Sequence, residues 1–139
     1  MIPLRIHNIL DYVIAALLVL APFVFGFSDI EIARDLFVVL GVGLASYSLI
    51  TRYYYSLAKI IPVGVHMVFD TAAGAVILAA PYVTGYRENL TSLQLGVHLV
   101  MGLGAIGLVA VTKPRTESAM TIEEQRAIME HSFSTHRHV

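Results

Sequence analysis

Two histidine and aspartate pairs hold most of the chemistry this sequence can offer: His7 with Asp11, and His66 with Asp70. In each pair the carboxylate follows the imidazole by four residues, a spacing that puts both on one face of a helix and within reach of each other. Asp11 and Asp70 are also the carboxylates set inside long apolar stretches. An aspartate at the centre of a membrane helix costs about 2.5 to 3.5 kcal/mol, so such residues usually turn toward the bundle interior and a partner. Brought together, two imidazoles and two carboxylates form a ligand set that Zn or Mn accepts. The same four groups could relay protons or hold the polar head of a lipid or quinone. They could also act as a structural clamp, joining helix ends through hydrogen bonds worth about 1 kcal/mol each. The Glu and Glu-x-x-His pattern of di-metal bundles is absent.

His98 is a separate candidate. It lies in the last apolar stretch and, under the repeat offset described below, matches Val39 rather than another histidine. Counted along the helices it differs in depth from His66 by roughly 15 Å, so the two cannot share an ion. Gly102 follows one turn later and leaves room for a flat ring, which makes His98 a possible axial ligand of a haem or chlorophyll. The alternative is a hydrogen bond to a neighbouring helix. Tyr53, Tyr54 and Tyr55 read as an interfacial aromatic belt, and His131, His136 and His138 sit on a tail that fixes no ligand geometry.

The elements that position these residues follow from composition. Of 139 residues 57% are hydrophobic and 14% charged, with mean hydropathy +0.74, against roughly 25% charge in an average soluble domain. Four apolar stretches, at about 4–24, 35–52, 62–83 and 93–112, each approach the ~20 residues a helix needs to cross a bilayer. The expected architecture is all-α: a four-transmembrane-helix bundle over 1–113, followed by a polar cytoplasmic tail over 114–139. Thr121-Ile122-Glu123-Glu124 has capping-box spacing and predicts a short amphipathic helix over 121–132. Arg5, Arg52, Lys59, Lys113 and Arg115 fall on one side of this arrangement and only Arg34 and Arg87 on the other. That bias predicts cytoplasmic N and C termini.

Displacing the sequence by 59 residues superposes Ile2–Phe27 on Ile61–Tyr86, with identities that include Pro3/Pro62, His7/His66, Asp11/Asp70, Pro22/Pro81 and Gly26/Gly85. The second helices align more faintly at the same offset, through Leu40/Leu99, Gly43/Gly102 and Leu44/Leu103. The unit is a pair of spans, present at about 2–55 and again at 61–113. An even number of spans returns the chain to its starting side, so the two units are parallel and related by a pseudo-twofold axis along the membrane normal. Pro3 and Pro62 are expected in the first helical turn, and Pro22 and Pro81 are expected to kink or end their helices.

This doubled pattern of His, Asp four residues on, an apolar helix, and a small-Pro-aromatic turn leading to Gly resembles the SPW-repeat family of small prokaryotic membrane proteins. Ala21-Pro22-Phe23 and Ala80-Pro81-Tyr82 stand where that family has Ser-Pro-Trp. The resemblance implies the architecture and supplies no biochemical activity.

Cysteine is absent, which removes disulfides, thiolate metal sites and cysteine nucleophiles. A net charge of -1 argues against a nucleic-acid partner. No phosphate loop, hydrolase triad or dinucleotide fingerprint is present, so no catalytic residue is assigned. Glycines at 41, 43, 102, 104 and 107 suit close helix contacts. The leading expectation is a non-enzymatic assembly or accessory subunit, surrounded by lipid and by other membrane subunits or copies of itself. The alternatives are a metal, cofactor or small-molecule binding or transport module at His7, Asp11, His66 and Asp70, and a pigment or haem subunit through His98.

Overall fold

A computed structural model describes residues 2–52, 57–58 and 60–112. The tyrosine belt and the tail helix with its histidines lie outside the described residues. Within them run four helices, α1 (Leu4–Val24), α2 (Glu31–Ile50), α3 (Val63–Val83) and α4 (Ser92–Val111), with a short 3-10 turn at Tyr86–Asn89 between the last two. All four are long and apolar enough to cross a membrane. At 1.5 Å per residue each spans about 30 Å, the thickness of a hydrocarbon core. The all-α four-span architecture read from the sequence is the one observed.

Helix ends follow from local chemistry. Pro3 and Pro62 are the N-caps, with extended backbone (ψ 148° and 142°), one position earlier than expected. Pro22 and Pro81 lie inside α1 and α3, which end two residues later at Val24 and Val83. Gly26 and Gly85 follow with φ of 71° and 80°, a left-handed conformation that glycine adopts without steric cost. In the first repeat the Phe27 amide then donates back to Pro22 O at 2.9 Å, which closes a Schellman turn.

Helix α2 begins at Glu31 and not near 35. The acidic Glu31 suits the positive end of the helix dipole, and Arg34 Nε pairs with Asp35 at 2.9 Å on the surface. The helix therefore begins with a charged turn ahead of its apolar run.

The helices pack as two antiparallel hairpins. A Cβ on Gly41 would stand 2.8 Å from Ala15 O, and one on Gly74 would stand 2.7 Å from Gly102 O, so both crossings bring backbone against backbone. Gly41 of α2 thus corresponds to Gly102 of α4, as Ala15 corresponds to Gly74. The alignment of Gly43 with Gly102 is corrected accordingly. The turn between α3 and α4 is two residues longer than that between α1 and α2, so the second helices match in a register shifted by two.

The hairpins join symmetrically. Ile61 N donates to Ile50 O at 2.9 Å and Ile2 N to Val111 O at 2.8 Å, forming equivalent parallel bridges at Thr51/Ile61 and Ile2/Thr112. A pseudo-twofold axis relates the halves, and two buried clusters lie along it. At the end where α1 and α3 begin sit His7, Asp11, His66 and Asp70; at the other end Phe27, Phe37, Tyr86 and His98 pack together. Outside the core, Leu17, Val39, Phe69, Val83, Val100 and similar side chains face outward, as lipid requires.

Candidate functional site

His7 lies in the first turn of α1 and His66 in the first turn of α3, and the i+4 spacing puts Asp11 and Asp70 one turn deeper on the same faces. Because the axis makes these two faces meet, all four side chains converge. Their ligand atoms lie within 4.8 Å of one another, and every one of the four residues is buried. His7 Nε2 is 3.4 Å from Asp11 Oδ1 and 3.4 Å from Asp70 Oδ2. His66 Nε2 is 3.2 Å from Asp11 Oδ2 and 3.2 Å from Asp70 Oδ2. Each imidazole therefore faces the carboxylate of its own helix and that of the other repeat.

The opposite ring nitrogens are held by threonine. His66 Nδ1 is 2.8 Å from Thr51 Oγ1, whose hydroxyl donates to Tyr47 O at 2.6 Å. A threonine hydroxyl has one hydrogen. With that hydrogen on the backbone carbonyl, the oxygen must accept from His66, so Nδ1 carries the proton and Nε2 presents its lone pair to the carboxylates when the ring is neutral. His7 repeats the arrangement, with Nδ1 2.8 Å from Thr112 Oγ1 and that hydroxyl donating to Leu108 O at 2.6 Å. This is the outer hydrogen bond that fixes tautomer and ring direction in metal-binding histidines.

The two carboxylates differ. Asp70 Oδ1 accepts a hydrogen bond from the Tyr47 hydroxyl, leaving Oδ2 toward both imidazoles. The Tyr47 ring also packs edge-on against His66, with centroids 4.6 Å apart. In the second repeat Leu108 corresponds to Tyr47, so Asp11 has no equivalent phenol. Asp11 turns one oxygen toward each histidine, and its Oδ2 accepts no hydrogen bond among the described residues.

The spacing of these atoms is informative. Charge-assisted N–H···O bonds are about 2.7 to 2.9 Å long, shorter than all four nitrogen to carboxylate distances here. In a tetrahedral zinc site with ligands at about 2.0 to 2.1 Å, neighbouring ligand atoms stand about 3.3 Å apart. The nitrogen to carboxylate separations of 3.2 to 3.4 Å are of that order, with Asp11 meeting His7 through Oδ1 and His66 through Oδ2, and one ligand atom from each residue lies within 4.8 Å of the others. Two carboxylates also balance the charge of one divalent ion, which removes the main objection to burying them.

His98 occupies the other end. Its Nδ1 donates to Gln94 O at 2.9 Å, which leaves Nε2 to accept from the Tyr86 hydroxyl at 3.2 Å. Phe37 and Phe27 pack on the ring with centroids 4.7 and 5.4 Å away. Under the corrected register Phe37, not Val39, is its counterpart. A tetrapyrrole at His98 would require Tyr86 to swing away. Burial pushes the Tyr86 phenol up to about 12, which keeps it a hydrogen donor at neutral pH.

Sequence reasoning found the four central residues and missed Thr51, Thr112 and Tyr47. Thr51 and Thr112 are equivalent to each other only in the shifted register, which a single offset conceals. Gln94 was also missed. It forms a capping box with Thr91 and donates from Nε2 to Phe25 O and Gly26 O at 3.1 and 2.9 Å, fastening the start of α4 to the turn after α1.

In comparison with known proteins, a family model described as the SPW repeat domain matches residues 5–112. No curated protein and no solved structure matches the chain.

Proposed function

The chain belongs to the SPW-repeat family, and from that footing we propose that this integral membrane protein binds one divalent transition-metal ion between its two repeats. His7, Asp11, His66 and Asp70 are the ligands, with Thr51 and Thr112 orienting the imidazoles and Tyr47 orienting Asp70. The observation that carries this reading is the convergence of two buried imidazoles and two buried carboxylates, one ligand atom from each within 4.8 Å of the others, with each imidazole Nδ1 held by a threonine. The lysine and arginine bias supports an orientation with the metal end toward the cytoplasm.

The test is metal analysis of the full chain in mild detergent after loading with Zn²⁺ or Co²⁺. The expected result is one ion per chain and, for Co²⁺, the visible absorption of a tetrahedral site. The double variant H7A/H66A should lose both while its helical circular dichroism persists. A wild-type chain that retains neither ion after loading would refute the assignment.

A second reading, as an assembly subunit, draws on α4. Only 11% of its most apolar window is buried, against 28% to 39% in the other spans. A Cβ on Gly96, Gly104 or Gly107 would meet nothing within 4 Å. Open small positions on an exposed span allow close approach of another membrane helix. Gentle extraction from native membranes should then yield a complex heavier than the chain, and a monomer alone would count against it.

A further inference from the structure

Asn8 and Ser48 form a polar pair that the metal site does not use. Both are fully buried, yet Asn8 Oδ1, Asn8 Nδ2 and Ser48 Oγ make no hydrogen bond among the described residues. The register of the α1–α2 crossing puts them at the same level of the interface. Ala15 meets Gly41 there; two turns toward the start of α1 lead to Asn8, and two turns toward the end of antiparallel α2 lead to Ser48.

Helical hydroxyls normally satisfy themselves on the preceding turn. Ser46, Thr51, Thr71, Thr84 and Thr112 all do so here, each donating to the carbonyl four residues back. Ser48 does not. Its oxygen and both polar atoms of the Asn8 amide thus require a partner that can donate and accept within a closed interface. A buried water molecule makes about three hydrogen bonds to such groups, and three unmade groups lie at this level of the interface.

We propose that Asn8 and Ser48 bind ordered water inside the α1–α2 interface, whether or not the metal site is filled. The site is one-sided. Met67 and Val109 occupy the corresponding positions of the second repeat, where no such demand exists. Asp11 follows Asn8, and Thr51 follows Ser48, by one helical turn. The water therefore gives one half of the His/Asp cluster a polar neighbour that the other half lacks.

The test is a crystal structure of the full chain from a lipidic phase at a resolution that shows solvent. The expected result is a density peak within hydrogen-bonding distance of both Asn8 and Ser48. A direct Asn8–Ser48 hydrogen bond with no peak between them would overturn the proposal. The double variant N8M/S48V copies the pair that the second repeat already packs, so it is expected to fold, to keep or raise its thermal midpoint, and to lose the peak. A peak that survives in the variant would also overturn the proposal. If the variant does not fold, the wild-type map alone decides.

Discussion

At the scale of single residues, the site separates atoms that hold an ion from atoms that aim them. Thr51→Val removes the acceptor of His66 Nδ1–H, and Thr112→Val does the same for His7. Each change should weaken metal affinity about 10- to 100-fold, the usual cost of losing such an outer partner. Titration with Co²⁺ measures this, and Thr51→Ser should restore most of the loss. Tyr86 gives a pH prediction. Its neutral form is favoured in the folded chain, so the stability it contributes is complete below pH ~10 and is lost as pH rises toward 12. Alkaline unfolding should come later in pH for Tyr86→Phe than for the wild type. The histidine and aspartate pairs were legible because i, i+4 spacing is a property of one helix. The threonines were not, because each contacts the histidine of the other repeat, and no local pattern records that contact.

At the scale of elements, glycines of identical sequence character divide into two kinds. Gly102 has no room for a Cβ, since Leu78 Cγ would be 2.6 Å away and Gly74 O 2.8 Å. Gly102→Ala must push the hairpin apart and should cost about 1 to 3 kcal/mol, visible as a lower thermal midpoint. Gly104→Ala, in open space two residues on, should leave the midpoint of the isolated chain unchanged or slightly raised. The four spans were legible because apolar runs of bilayer length have few alternatives. The start of α2 was not, because Arg34 and Asp35 look like loop residues when only hydropathy is followed. Their ion pair and the acid at Glu31 make a sound start to a helix.

For the whole molecule, the exposed span and the central cluster make separable demands. Gly104→Leu with Gly107→Leu should reduce the mass of any native complex while leaving metal content at one ion per chain, as mass spectrometry of membrane extracts would show. The converse holds for H7A/H66A, which should empty the site before it alters assembly. Parallel duplication was readable from the doubled His, Asp and Pro positions. The exact pairing of the second helices required the structure, because in the shifted register their sequences keep only Val39/Val100, Gly41/Gly102, Gly43/Gly104 and Thr51/Thr112 in common.

The paired backbone bridges have a consequence for the order in which the halves are written. Ile2 meets Thr112 as Ile61 meets Thr51, so the seam between repeats is built the same way on both sides of the axis. A circularly permuted gene, opened between Thr51 and Ile61 and fused between Thr112 and Ile2 through a linker, should encode the same molecule with its metal affinity intact. A single hairpin expressed alone contains half of every contact the axis creates, one histidine and one aspartate included. Two copies of it supply a full ligand set, so an unduplicated hairpin has the means to assemble this centre as a homodimer.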